Sequence, residues 1–263
     1  MSDTLNILQI TDCHLNADPN ADLLGVKTLE SLDAVLQQIV QDKRKPDLVI
    51  VSGDLAQDAS ETAYQRLRER LEIFDCPKRW FCGNHDERAP MQSVVASGDE
   101  LSPVYRTNDW QIIMLDSLVE GKVHGFLEAS ELALLEKTLK EQPETNTLVC
   151  LHHHPVDIDS AWLDNIGLHN KEAFWELLGN APNVKAVLWG HIHQDFDREY
   201  QGVRLLASPS TCIQFLPQSD DFAIDEIAPG YRWLELSADG DIKTEVRRAE
   251  QFEFSVDMTS NGY

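Results

Sequence analysis

Basic residues are scarce in this sequence of 263 residues: 22 Lys and Arg stand against 45 Asp and Glu, a formal net charge of −23. So acidic a surface repels phosphate backbones and anionic lipid, which argues against nonspecific binding to nucleic acid or a membrane surface. It leaves room for a local positive centre that takes one small anion. No apolar run approaches the roughly 18 residues of a membrane span, and Met1 to Asn6 has neither a basic n-region nor an apolar h-region. The expectation is a cytoplasmic protein with no membrane, no nucleic acid and no obligate protein partner. Cysteines are few, odd in number and scattered: Cys13, Cys76, Cys82, Cys150 and Cys212 contain no CxxC spacing, so zinc-thiolate and dithiol chemistry lack a signal and the five read as reduced. Internal repeats and low-complexity segments are missing too, which removes repeat architectures.

What is present is an alternation of strands and helices. Strand-length apolar runs occur at Leu5 to Ile10, Leu48 to Val51, Trp80 to Cys82, Ile112 to Leu115, Leu148 to Leu151, Ala186 to Trp189 and Val203 to Ala207. Helical spacing fits Thr28 to Asp42, Ser130 to Glu141 and Lys171 to Leu178; Lys45-Pro46 follows the first of these as a stop. Near the C-terminus, Tyr231 to Leu236 and Ile242 to Val246 flank the turn Ala238-Asp239-Gly240-Asp241, which reads as a hairpin. Leu216 to Pro229 is acidic and turn-rich and reads as a long loop, and the polar tail after Phe254 reads as frayed. The alternation predicts an α/β protein with helix-covered sheets, read as one domain over 1–263. Ligands in such folds collect beyond the carboxyl ends of the strands.

Those ends carry an unusual set of side chains. The first run leads into Thr11-Asp12-Cys13-His14, the second into Ser52-Gly53-Asp54, the third into Gly83-Asn84-His85-Asp86, the fifth into His152-His153-His154, and the sixth into Gly190-His191-Ile192-His193. Period-two alternation lets Asp12 and His14 point one way and Cys13 the other. Taken singly, each block has an ordinary explanation: Asp54 as a turn former, Gly-Asn-His as a tight turn, His-x-His as a hydrogen-bonded pair. Five such turns at the same end of five apolar runs, all bearing the nitrogen and oxygen donors that hold divalent cations, point together to a metal site.

The ordered blocks Asp12-Cys13-His14, Gly53-Asp54, Gly83-Asn84-His85-Asp86, His152 and Gly190-His191-Ile192-His193 resemble the calcineurin-like metallophosphoesterases. Leu24-Gly25-Val26, Asp54 to Asp58, Leu151 to Pro155, Gly190 to Gln194, Pro209 to Cys212, Ile227 to Gly230 and Gly262-Tyr263 narrow the resemblance to the bacterial class III 3',5'-cyclic AMP phosphodiesterases. That resemblance implies a four-layer α-β-β-α sandwich, two mixed sheets flanked by helices, with two divalent metal ions at their carboxyl edge. It also implies a ligand set of Asp12, His14, Asp54 and His193 for one ion and Asp54, Asn84, His152 and His191 for the other, with Asp54 as the bridge. Iron(II) is favoured, with manganese or zinc as alternatives. The chemistry implied is hydrolysis of 3',5'-cyclic AMP to 5'-AMP by a metal-activated hydroxide attacking phosphorus. Asp54 and His85 are the catalytic candidates, His85 donating to the phosphate or to the leaving oxygen; His14, Asp54, Asn84, His85 and His193 are expected to face the substrate.

Some positions stay open at this stage. His153 lies two residues before Pro155 and competes in register with His152, which is the assigned ligand. His124 and Asp116 are candidates for support of the site, and Ser208 to Thr211 with Leu216 to Pro229 for lining the nucleotide pocket. The alternative activity is a broader phosphodiesterase acting on 2',3'-cyclic nucleotides, glycerophosphodiesters or nucleotide pyrophosphates. A DNA nuclease lacks its basic stripe, and a non-catalytic scaffold would gather carboxylates at an electrostatic cost without a cation.

Overall fold

The computed structural model describes residues 4–95, 98–259 and 262. The chain runs through β1 (Leu5–Ile10), the small hairpin β2 (Asp22–Leu23) and β3 (Val26–Lys27), α1 (Thr28–Gln41), β4 (Leu48–Ser52), α2 (Glu61–Leu71), β5 (Lys78–Phe81) and α3 (Arg88–Val95). It continues with β6 (Val104–Arg106), β7 (Trp110–Met114), α4 (Ala129–Glu141), β8 (Asn146–Cys150), α5 (Ala161–Asp164), α6 (Lys171–Gly179) and β9 (Val184–Trp189). It closes with β10 (Phe196–Tyr200), β11 (Val203–Ala207), the short pair β12 (Gln214–Phe215) and β13 (Ile224–Asp225), and the hairpin β14 (Gly230–Leu236) and β15 (Ile242–Arg248).

Two mixed sheets form, in the orders β15-β14-β1-β4-β5 and β10-β11-β9-β8-β7-β6. Alternation along β1 shows how they stack. Ile7 joins Leu48, Ile50, Ile112, Leu148, Leu188 and Leu234 in a core between the sheets, while Leu8 and Ile10 turn to the opposite face and meet Leu32, Val35, Tyr64, Leu67 and Met91 of α1, α2 and α3. The second sheet's outer face packs on Leu135, Leu163 and Phe174 of α4, α5 and α6. The layers are therefore α-β-β-α, as expected, and each fully buried aliphatic or aromatic side chain contributes about 1.5–3 kcal/mol to holding them. Among the described residues, no helix is long and apolar enough to cross a membrane.

The expected strands at Trp80, Ile112 and Leu148 begin two residues earlier than read and end one residue sooner. Lys78, Gln111, Asn146 and Thr147 belong to the ladders despite their polarity, because ladder bonds are made by the backbone. Helix α2 escapes an apolar reading since it is rich in charge, but Ser60 caps it by accepting the Ala63 N–H at 3.1 Å, and Ala63, Tyr64, Leu67 and Leu71 form its buried stripe. The segment read as a long loop is pinned by pairing of Phe215 with Ile224. The tail is not frayed as far as Thr259: Asp257 N–H donates to the Leu24 carbonyl at 2.8 Å, and Phe252, Phe254 and Val256 pack on the core.

Strands β1, β4 and β5 are parallel neighbours in one sheet, and β8 and β9 in the other, so their carboxyl ends converge on one edge. Just beneath that edge Gln9 joins the sheets. Its side-chain amide donates to Ser52 Oγ at 2.8 Å and to the Trp189 carbonyl at 3.0 Å, and its oxygen accepts from Ser208.

Candidate metal centre

The turn after β1 and the turn after β4 run side by side, since Asp12 N–H donates to the Gly53 carbonyl and His14 N–H to the Asp54 carbonyl, at 3.0 and 2.9 Å. The backbone there is unusual. Asp12, His14, Asp54, His191 and His193 all have positive φ, between 46° and 64°, a region costly for most residues and best tolerated by Gly, Asn, Asp and His. Strain at five predicted ligands is the signature of a functional site whose surroundings hold it in place. Gly53, at φ 90°, packs so closely on the His152 ring that a Cβ would collide with it.

The carboxylate and imidazole ligand atoms form two adjoining groups. Asp12, His14 and His193 come within 4.8 Å of one another, as do Asp54, His152 and His191. Within the first, His193 Nε2 lies 3.2 Å from Asp12 Oδ1 and 3.3 Å from His14 Nε2. Asp54 Oδ2 lies 3.2 Å from His152 Nε2 and 3.9 Å from His14 Nε2, between the two groups. Its other oxygen, Oδ1, accepts the His85 backbone N–H at 2.8 Å. Asn84 borders the same cavity as Asp54, His85 and His191.

Each imidazole is oriented from behind. His152 Nδ1 and His193 Nδ1 donate to the Ser52 and Ile213 carbonyls at 2.8 and 2.9 Å, and His14 Nδ1 donates to Gln57 Oε1 at 2.6 Å. Those acceptors fix the tautomer that leaves Nε2 facing the cluster. His191 is reversed: its Nε2 donates to the Ile166 carbonyl at 3.1 Å, leaving Nδ1 for the cluster. Among the described residues, Asn84 Oδ1 is buried without a hydrogen-bond partner, while His152 Nε2 has Asp54 Oδ2 as its neighbour at 3.2 Å. An orphaned amide oxygen in a set of buried nitrogen and oxygen donors, with no thiolate, fits two divalent cations of the iron, manganese or zinc type.

The electrostatics agree. Burial pushes the Asp54 carboxyl up, but the imidazoles of His152, His85 and His14 outweigh it and hold it well below the usual range. Burial and the His85 ring lower His14 to about 3, and burial beside His153, His152 and His154 lowers His191 well below its ordinary value. These rings stay neutral and available as ligands. His152 is the exception: burial opposes its charge, but Asp54 and Asp12 raise it to about 9, so a cation would displace a proton there.

The remaining sequence candidates separate clearly. His153 turns away from the two groups; its Nδ1 meets Ser117 Oγ at 2.8 Å and its Nε2 the Val123 carbonyl at 3.1 Å. His154 is buried against Gly167, 3.9 Å from Asp164. His124 stacks on His169 at 3.7 Å, and Asp116 pairs with Arg88 at 2.6 Å and accepts the Leu118 N–H. His85 comes close enough to His14 and Asp54 to form a third group with them. Ser208 to Thr211 do not border the cavity but buttress the Asp12 turn, Ser210 Oγ donating to the Asp12 carbonyl at 2.7 Å. Gly262 does border it; Tyr263 lies outside the described residues.

Three contributors were missed from sequence. Gln57 holds His14. Phe215 stacks on His193 with ring centres 4.2 Å apart. Asp86 gathers the N–H groups of Leu55, Ala56 and Gly83 at 2.8–3.2 Å and the Tyr64 hydroxyl at 3.0 Å, tying the Asp54 turn to the Asn84 turn. Only Asp86 had a signal, its place at the end of the Gly-Asn-His block.

The family model described as calcineurin-like phosphoesterase matches residues 5–195. The chain is 44% identical, over 98% of its length and 94% of the other, to the 3',5'-cyclic adenosine monophosphate phosphodiesterase CpdA of Pseudomonas aeruginosa, and 45% identical, over 98% and 95%, to that of Escherichia coli. It is 38% identical to a 3',5'-cyclic-nucleotide phosphodiesterase of Nostoc over 93% of this chain and 92% of that protein. Among solved structures, a dimetal phosphatase from Danio rerio shares the fold with a TM-score of 0.63 at 16% identity, covering 93% of this chain and 99% of that one.

Proposed function

The chain belongs to the calcineurin-like phosphoesterase family, and from that premise we propose that it hydrolyses 3',5'-cyclic AMP to 5'-AMP and so lowers the cyclic AMP signal of its cell. The observation that carries this reading is Asp54 Oδ2 standing between two imidazole groups, 3.9 Å from His14 and 3.2 Å from His152, in a chain alike from end to end with named cyclic AMP phosphodiesterases. We read 1–263 as one domain, since β14 from the C-terminal part pairs with β1 at the centre of the first sheet. The five cysteines are free, in keeping with a cytoplasmic site of action.

Asp12, His14, Asp54 and His193 would hold one divalent cation and Asp54, Asn84, His152 and His191 the other, with iron favoured and manganese or zinc as alternatives. When bound, two such ions supply Lewis-acid stabilisation of phosphate charge and make water acidic enough to lose a proton near neutral pH. In the reaction a water oxygen bonds to phosphorus, the bond from phosphorus to the 3' oxygen breaks, and that oxygen takes up a proton. His85 is our candidate to donate it. Its backbone bond to Asp54 fixes it beside the bridge, its ring meets that of His14 edge-on at 4.9 Å, and it stays partly exposed to the cavity.

The test is steady-state hydrolysis by iron- or manganese-loaded protein, with products identified, on 3',5'-cyclic AMP, 3',5'-cyclic GMP, 2',3'-cyclic AMP and an aryl phosphodiester. Conversion of cyclic AMP to 5'-AMP as the preferred reaction supports the proposal. Preference for the other esters would replace it with a broader phosphodiesterase.

A further inference from the structure

The cavity bordered by Asp54, Asn84 and His85 continues into an apolar wall made by Trp162, Phe215 and Phe222, and encloses about 210 Å³. The three rings brace one another. Trp162 meets Phe215 and Phe222 edge-to-face at 5.0 and 5.2 Å, and Phe215 meets Phe222 at 5.7 Å, the orientations that aromatic quadrupoles favour. They come from separate parts of the chain: Trp162 from α5, Phe215 from β12 and Phe222 from the turn before β13. Phe215 is anchored to the metal centre itself by its stacking on His193.

This wall has no use in splitting a phosphodiester bond. Its volume falls below the roughly 300–1,000 Å³ of sites that take drug-sized ligands, which suits one planar group attached to the phosphate. Its polar content is also specific. The Trp162 indole N–H is buried with no acceptor among the described residues, and an indole can only donate. Leu163, Ile166 and Val123 complete this side, and among the described residues their side chains and those of the three rings offer one donor and no acceptor. The nearby Val123 and Ile166 carbonyls each accept one hydrogen bond already, from His153 and His191. Adenine presents ring nitrogens that accept, beside one exocyclic amino group; guanine carries an amino group as well and adds a ring N–H that needs an acceptor of its own.

We infer that Trp162, Phe215 and Phe222 form the base subsite of the substrate, taking a purine and favouring adenine over guanine. The inference rests on the cyclic-nucleotide reading of the site and adds which residues select the base.

Calorimetric titration of the manganese-loaded protein with 5'-AMP, 5'-GMP and ribose 5-phosphate tests it without relying on turnover. The wild-type protein should bind 5'-AMP about tenfold or more tightly than ribose 5-phosphate, and more tightly than 5'-GMP. Trp162→Leu and Phe222→Leu should each bring 5'-AMP toward ribose 5-phosphate while leaving ribose 5-phosphate unchanged. Two variants from separate elements guard against one failing to fold, and melting curves identify such a failure. Equal binding of 5'-AMP and ribose 5-phosphate by the wild type, or equal weakening of both by the variants, overturns the subsite. Wild-type cyclic AMP turnover, assayed alongside, bears only on the activity, so the two readings fail separately.

Discussion

Asp54 and His152 face each other across 3.2 Å, both buried, and their partners already occupy the far atoms: the His85 N–H on Asp54 Oδ1 and the Ser52 carbonyl on His152 Nδ1. What remains between them is one carboxylate oxygen and one ring nitrogen, arranged for a cation that both can share. Because the His85 backbone N–H donates to Asp54, that bond survives removal of the ring, and the ring and the neighbouring Asn84 side chain can be tested apart.

Asn84→Ala removes a neutral oxygen donor and should weaken cation affinity by at least the roughly 10–100-fold seen when a ligand's supporting partner is lost. Activity should then depend on added metal. His85→Ala should keep both ions and lower kcat by about 100–10,000-fold, the range of a lost general acid. Elemental analysis alongside kcat separates them: parallel loss of metal and rate in the His85 variant would make His85 a ligand, as its closeness to His14 and Asp54 allows.

Asp86→Asn should destabilise the protein by about 1–3 kcal/mol. One carboxylate oxygen accepts the Gly83 N–H at 2.8 Å while the other takes Ala56 and Tyr64, and an amide can serve only one side as an acceptor. Since Asp86 touches both the Asp54 and the Asn84 turns, metal affinity should fall with stability. A variant with unchanged urea midpoint and unchanged metal binding would remove this positioning role.

Chelation of the bound ions should lower the melting temperature. A ligand at 100 times its dissociation constant stabilises the folded state by about 2.7 kcal/mol, which for a chain of this size is a shift of about 5–10 °C per site. Readdition of manganese should restore it. A melting curve indifferent to chelator would argue that the buried carboxylates and imidazoles stand without a cation.

The candidate ligand groups were legible because chemistry and position coincide: Asp12, Asp54, Asn84, His152 and His191 each follow an apolar run, and strands buried on both faces print such runs plainly. The same logic hid α2, whose charged residues dilute a four-residue buried stripe, and β10, an edge strand with only Phe196 buried. It also hid Gln57, Phe215 and Trp162. Each acts through neighbours distant in sequence, so nothing local distinguishes a glutamine behind a ligand, or an aromatic over one, from an ordinary surface or core residue.

Gln57 is therefore the sharper test of what the structure adds. Its Oε1 lies 2.6 Å from His14 Nδ1, and while it accepts that proton His14 presents Nε2 to Asp12 and His193. Gln57→Leu removes the acceptor, frees the ring to turn and should reduce affinity for the ion held by Asp12, His14 and His193 by about 10–100-fold. Gln57→Glu keeps an acceptor at the same reach and should restore affinity, whereas a purely structural role would be satisfied by the isosteric bulk of leucine. Metal titrations of the three proteins decide the matter: leucine matching the wild type would show that His14 is oriented by packing alone.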